Sequence, residues 1–414
     1  MTQVNQHRYL GKARKSVDGI EKITGCARYA GDVNLPGMLH GKLALSPYAH
    51  ARITQIDTAA ARAIPGVVAV LTAADLPTRG RQPSSRQTTT LADGVVRYRG
   101  EPVALVLATS LAAAEDGVAA LQIDYEPLPG PVTPEEALAP DAPVIWPQGA
   151  PKGDTDLTAA HAAVSRGDDH ADHKASNVHE RKQFSRGDAL HALAVAEVVV
   201  TGTYRTSIVH QGYLEPHAVV ADVDPVRKHL TIYTSTQGQF GVRDEVARLL
   251  DLRPAQVTVV PMTVGGGFGA KYGILDPLAA AAALAVGRPV RIVLDRSEDF
   301  LTTTPSPAST ITLQLGATRD GTLTALVAEI VNDNGVYPFT LGGIMSTLLG
   351  GYYRCPNVQI DVIEVLTHKP QAGAYRAPGA PQITFAIESA MDELARKLDL
   401  DPLELRMRNA ATTG

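Results

Sequence analysis

Four glycines fall within the five residues Gly265–Gly269, inside the stretch Val-Gly-Gly-Gly-Phe-Gly-Ala-Lys-Tyr that runs from Val264 to Tyr272. Such a run makes a poor helix and a poor strand, because glycine loses the most backbone freedom on ordering. It suits a place where the chain turns tightly or lies directly against a ligand. The residues before it, Gln256–Pro261, read as a buried strand, and Asp276–Val286 after it, rich in Ala and Leu, read as a helix. A glycine loop between strand and helix offers unpaired backbone N–H groups to an anion, usually a phosphate.

The residues alone leave that loop open to several readings. A phosphate loop of the Gly-x-x-x-x-Gly-Lys-Ser/Thr kind fails, because Ala270 precedes Lys271 and Tyr272 is neither Ser nor Thr. A dinucleotide loop fits formally: Gly265, Gly267 and Ala270 satisfy Gly-x-Gly-x-x-Ala, and Asp295 ends the next strand-like run. A plain tight turn is the reading without chemistry.

Charge and cysteine content narrow the chemistry. A net charge of −5 gives no basic field for nucleic acid or an anionic membrane. The 414 residues are 44% hydrophobic and 20% charged, an ordinary soluble composition. That length holds roughly two to three domains. No apolar run reaches the ~18 residues of a membrane span. Met1–Lys15 is polar, so no signal peptide is read there and a cytoplasmic location is expected. Cys26 and Cys355 are the only cysteines, too few for an iron–sulfur cluster or a structural zinc site. Any iron–sulfur electron carrier must therefore sit on another chain.

Along the chain, residues 1–17 read as a tail and 18–148 as a compact α+β domain, with Arg79–Thr90 an exposed loop. Residues 149–194 are polar and carry Asp168, Asp169, His170, Asp172, His173 and His179. A solvated linker is favoured there over a metal site, since no helix or strand frame presents those side chains together. Residues 195–414 form the second domain. His210, Glu215 and His217 suggest a metal in isolation, but their spacing is not His-Glu-x-x-His. The bland alternative is a strand-to-turn edge.

Four ordered motifs then point one way. They are Thr-Gln at 236–237, Gly-Gly-Gly-Phe-Gly-Ala-Lys at 265–271, Ala-Tyr-Arg-x-x-Gly-x-Pro-Gln at 374–382, and Pro-Leu-Glu-Leu-Arg-x-Arg-Asn at 402–409. Together they closely resemble the molybdenum hydroxylases, the xanthine dehydrogenase/aldehyde oxidase family. The opening between Asp18 and Asp32 and the segment Ser46-Pro-Tyr-Ala-His-Ala51 resemble the hammerhead-like N-terminal domain of the same family's large subunit. The implied architecture is that α+β domain followed by the first molybdenum-cofactor-binding domain.

The resemblance implies molybdopterin, in its plain or cytosine dinucleotide form, with the metal held by the pterin dithiolene and not by the protein. It places FAD and 2Fe-2S clusters on partner chains. Gln237 matches the glutamine that hydrogen-bonds an oxygen ligand of the metal. Gly266, Gly267, Phe268 and Gly269 match the loop at the metal, and Arg376 the arginine beside the cofactor. Gln237, Phe268 and Arg376 are therefore the expected catalytic residues, and Tyr272, Pro378 and Glu215 the expected substrate lining. Purine-oxidising members carry a glutamate where Tyr272 stands and a phenylalanine where Pro378 stands. Carbon monoxide oxidisers carry a copper-holding cysteine where Ala377 stands.

Full-length subunits of the family are nearly twice this long, and their second half supplies the general-base glutamate. Some nicotinate dehydrogenases divide the subunit into two chains near this point, and this sequence resembles the first. The expected function is the first half of a molybdenum hydroxylase acting with water on a nitrogen heteroaromatic such as nicotinate. It is expected to need a second-half chain, an iron–sulfur subunit and an FAD subunit. An aldehyde or purine-type enzyme subunit, or a non-catalytic cofactor-binding remnant, is the alternative.

Overall fold

The computed structural model describes residues 8–78, 85–86, 90–151 and 175–411. Two sheets carry most of the core. The larger has the spatial order β11 (Val257–Pro261), β10 (His229–Thr234), β9 (Ala218–Asp224), β12 (Val290–Val293), β1 (Leu39–Leu45), β5 (Pro102–Ala108) and β3 (Val67–Thr72). Every residue of β5 is buried, as its unbroken apolar run requires of a central strand. The second sheet runs β7 (Val178–Arg186), β15 (Asn357–Val365), β14 (Leu323–Asp333), β13 (Ser309–Ala317) and β8 (Val198–Thr206). A small third sheet joins β4 (Val95–Val96), β2 (Ala51–Asp57) and β6 (Gln122–Pro127).

The structure departs from the sequence reading in three places. β1 pairs in parallel with β12, Leu39 opposite Val290, so strands from both sides of the expected 149–194 divide share one sheet. Residues 178–194 are not linker: β7 is an edge strand on β15, followed by the helix Ala189–Ala194. The polar alternation of His-Glu-Arg-Lys-Gln-Phe-Ser is that of an edge strand wetted on one side. Asp168, Asp169, His170, Asp172 and His173 lie outside the described residues. Nor is Arg79–Thr90 all exposed. Ser85, Arg86 and Thr90 are buried, and the Arg86 backbone N–H donates to Gln371 Oε1 at 2.6 Å.

Three pieces of this frame converge on the glycine loop. β10, the helix Gln239–Leu249 and β11 form a unit whose two strands are parallel neighbours. Gln237 follows the C-terminal end of β10 and the loop follows the C-terminal end of β11, the usual position of ligands in such a unit. β11 is an edge strand, half open, where the sequence reading expects a buried one. The third piece, Ala374–Gly379, leads into the helix Ala380–Leu398. That helix buries Ile383, Ala386, Ile387, Ala390, Met391 and Leu394, a helical stripe, in the core of the second sheet.

The helix Asp276–Val286 anchors the far end of the loop and has its first eight residues buried. Its first residue carries a carboxyl whose Oδ1 has no partner among the described residues. Burial pushes the Asp276 carboxyl up to about 6, against a hydrogen bond from Thr234 that lowers it. A raised carboxyl stabilises the fold in full below its unfolded value, 3.8, and that contribution is lost as pH rises through 6. A neutral amide escapes the loss. Asp276→Asn is therefore expected to gain roughly 2–3 kcal/mol on the wild type between about pH 4 and about pH 8 in urea unfolding. A stability difference that is flat with pH refutes this.

Among the described residues no helix is long and apolar enough to cross a membrane.

Candidate active site

The Gln237 side chain is built into the loop. Its Oε1 accepts the backbone N–H of Gly269 at 2.9 Å and of Lys271 at 3.3 Å. Its own backbone N–H donates to the Lys271 carbonyl at 2.7 Å. The carbonyl end of the amide is thereby fixed on the protein, which fixes the orientation of the group. Nε2 has no partner among the described residues, and the residue is exposed. A neutral donor is left free on an exposed side chain.

The loop is drawn tight enough that only glycine fits. A Cβ on Gly267 would run into Gln237 Oε1, and one on Gly269, at φ +105°, would lie 2.6 Å from the Ala374 carbonyl oxygen. Phe268 between them is left-handed at φ +52°, an unusual state for a bulky residue. Its ring is 45% exposed. The Phe268 carbonyl accepts the Arg376 backbone N–H at 2.9 Å, which ties the loop to the Ala374–Gly379 segment. Ala377 there is also left-handed, at φ +62°. Two strained non-glycine residues thus flank one hydrogen bond, and strain of this kind gathers at functional sites. The Arg376 side chain is exposed and finds no acid among the described residues.

Glu215 lies beneath the loop. Its Oε2 accepts from Gly265 N–H at 2.6 Å, Ser235 Oγ at 2.7 Å and Lys271 Nζ at 2.7 Å. Oε1 is buried without a partner among the described residues. Tyr272 packs beside Gly238, where an added Cβ would lie 3.2 Å from its ring. Pro378 is half-buried next to Ala377.

His210 and His217 both turn to Asp299, at 3.2 and 2.9 Å, and not toward Glu215. Burial works to raise the Asp299 carboxyl, but hydrogen bonds from His210 and His217 prevail and hold it well below the usual carboxylate range. The His–Glu–His metal reading therefore fails. Among the described residues no group of three or more His, Cys, Asp or Glu side chains is arranged to hold a metal ion. The dinucleotide reading fails as well. Asp295 caps the helix Arg296–Thr302 through Glu298 N–H at 2.9 Å and takes Lys42 Nζ at 2.8 Å, so it is engaged elsewhere.

The structure thus brings Gln237, Gly266, Gly267, Phe268, Gly269 and Arg376 together at one open face, with Tyr272 and Pro378 at its margins and Glu215 under it. Sequence reasoning missed Lys271 and Gln211. A lysine in a glycine loop gives a weak signal, since a buried ammonium needs an acid. Gln211 gives none: its Nε2 bridges the carbonyls of Thr304 and Ala374 at 2.9 and 2.8 Å, which braces the arginine segment from behind.

These residues fit a cofactor that brings its own metal ligands. An outward amide donor, an unpaired guanidinium and a close backbone suit an anionic, oxygen-rich group.

Comparison with known proteins gives the same assignment. Residues 170–410 match a molybdopterin cofactor-binding domain, and residues 24–129 the a/b hammerhead domain of aldehyde oxidase and xanthine dehydrogenase. The nicotinate dehydrogenase large molybdopterin subunit of Eubacterium barkeri is 33% identical over 99% of this chain and 91% of its own. The putative xanthine dehydrogenase molybdenum-binding subunit of Escherichia coli K12 is 34% identical over 96% of this chain. The solved structure of quinoline 2-oxidoreductase from Pseudomonas putida 86 superposes with a TM-score of 0.84, at 32% identity over 97% of this chain. The chain spans 51% and 50% of the length of those last two proteins. The chain belongs to the xanthine dehydrogenase/aldehyde oxidase family and carries its molybdopterin-binding domain.

Proposed function

We propose that this chain is the first half of the molybdopterin-binding subunit of a hydroxylase that oxidises a nitrogen heteroaromatic acid or related ring, with water as the oxygen source. The observation that carries the reading is the Gln237 amide, its Oε1 locked by the N–H groups of Gly269 and Lys271 on a loop whose Phe268 carbonyl takes the Arg376 N–H. When bound, the cofactor supplies oxygen-atom transfer and accepts two electrons. Gln237 Nε2 donates to an oxygen as negative charge builds on it, without adding a charge of its own. The Arg376 guanidinium would hold anionic oxygens of the cofactor. The backbone of Gly266–Gly269 lets the group approach closely.

A nitrogen ring as substrate is supported by the nicotinate and quinoline enzymes among the relatives. Tyr272 and Pro378 replace the glutamate and phenylalanine of purine-oxidising members, so these two positions offer a purine no carboxylate. A companion chain is supported by the apolar side chains left open around the loop. Leu214, Phe240 and Phe268 are 91%, 64% and 45% exposed, more than a free surface favours. Iron–sulfur and FAD chains would take the electrons away, and the two free cysteines agree with a cytoplasmic location.

Purified from its native assembly, this chain is expected to carry molybdenum and pterin in about equal amounts. Metal analysis that finds an active assembly without molybdenum defeats the proposal. Dye-linked oxidation compared across nicotinate, an aromatic aldehyde and a purine then ranks the substrate classes, with nicotinate expected first.

A further inference from the structure

The glycine loop rests on a buried charge pair. Lys271 is fully buried, with Nζ 2.7 Å from Glu215 Oε2 and 3.1 Å from Ser235 Oγ. It lies 4.9 Å from the centre of the Tyr213 ring, a cation–π contact on an apolar wall. The same Glu215 oxygen takes the N–H of Gly265, the first glycine of the loop. Glu215 also donates its own backbone N–H to the Gly265 carbonyl at 3.2 Å. One carboxylate oxygen thereby holds the loop at its first residue through the backbone and at its last through a side chain. The last residue, Lys271, is held a second time by Gln237, through both its N–H and its carbonyl.

A buried ion pair is a weak source of stability, since two apolar residues of equal volume often do as well. What it does provide is geometry. With both ends pinned, the segment between them must bow outward, and Phe268 is kept at φ +52°. A left-handed bulky residue is strained and persists only where its surroundings over-determine it. Here the surroundings are the Glu215–Lys271 pair below, Gln237 on one side and the Arg376 N–H on the other.

We propose that Lys271 is a positioning residue: its ammonium, clamped on Glu215, closes the Gly265–Lys271 loop into the curve that sets Phe268 and the Gln237 amide against the reacting atoms. This rests on the function proposed above. It makes Glu215 a strut, and the reactive face of the site begins above it.

The test is amide hydrogen exchange at single-residue resolution on the full chain, comparing wild type, Lys271→Met and Lys271→Met/Glu215→Gln. The double variant leaves no unpaired charge in the core and keeps an oxygen for Gly265, so it carries the measurement if the single variant does not fold. The amides of residues 265, 269 and 271 are expected to exchange roughly tenfold faster in Lys271→Met, and those of 269 and 271 likewise in the double variant, while Val220 and Ile232 in the sheet change less than about twofold. In the assembled enzyme, kcat is expected to fall roughly tenfold with KM held within about twofold. Loop amides at wild-type rates overturn the proposal. So do loop and sheet amides that accelerate together, which make Lys271 a residue of general stability, and so does a KM that rises with kcat unchanged. Exchange is read without molybdenum. A chain that never carries molybdenum therefore defeats the proposed function alone, and unchanged loop exchange defeats the positioning role alone.

Discussion

Gln237→Ala is expected to lower kcat by on the order of 10²- to 10³-fold with the fold intact, the usual loss when one donor aimed at developing charge is removed. The side chain has two jobs that the variant removes together: it accepts two loop N–H groups, and it offers a free donor. Gln237→Glu separates them. The glutamate keeps an oxygen for Gly269 and Lys271, loses the outward N–H and adds a negative charge. If the donor carries the effect, both variants fall by similar factors. If support of the loop carries it, the glutamate stays near the wild type. Arg376→Met is expected to join the damaged group, since it removes the guanidinium and leaves the backbone N–H on the Phe268 carbonyl. Near-wild-type rates at full molybdenum content in Gln237→Ala place the chemistry elsewhere.

Local elements were legible wherever side-chain pattern and punctuation agreed. The helix Asp276–Val286 begins and ends where its Ala/Leu run does, with Pro277 in the first turn and Gly287 left-handed just past the end. The helix Gly342–Gly351 was not legible. Glycines at 342, 343, 350 and 351 form its first two and last two residues and give no local helix signal. It forms because Glu364, buried on β15, accepts the N–H groups of Leu341 and Gly342 at 2.9 and 2.7 Å. That carboxylate is twenty-odd residues downstream, and no local pattern announces it. Pairing was harder still. β1 and β12 are apolar strands like their neighbours, and their partnership across the expected domain boundary is a tertiary fact.

The site was legible in a different sense. Glycine content marked the loop as a place of close approach, and Gly267 and Gly269 are close-packed against Gln237 and Ala374. The roles of Gln237 and Arg376 came from family resemblance, because a glutamine after a strand and an arginine in a turn carry no pattern of their own. What neither source supplied is the underside. Glu215 looked like a lining carboxylate, and its neighbours in space tie it to Lys271, Ser235 and Gly265. The left-handed turn at Phe268 is likewise a product of packing, since no residue less like glycine would be chosen for it on local grounds.

Expressed without partners, this chain is expected to show no hydroxylation of nicotinate or of aromatic aldehydes. Hydroxylation with water requires a base that takes a proton as the oxygen attacks carbon, within hydrogen-bond reach of that oxygen. The carboxylates around the loop are committed elsewhere. Glu215 spends one oxygen on three donors and has the other sealed from solvent. Asp299 is fully enclosed by His210, His217 and Arg296. Asp276 has a carboxyl raised to about 6, in the range of a useful base, but it is 3% exposed at the start of a buried helix. Farther along, Glu388 and Asp392 both hold Arg406, at 2.6 and 2.7 Å. On the proposed function the base is supplied by a second chain over the open face, and the exposed Phe240 and Phe268 are where such a chain would close down. The decisive comparison assays this chain alone and then co-expressed with a second-half chain, with molybdenum measured in both. Turnover that appears only on co-expression supports the divided site. Robust turnover by the chain alone refutes it and points to Glu215 as the base, in which case Glu215→Gln abolishes the activity.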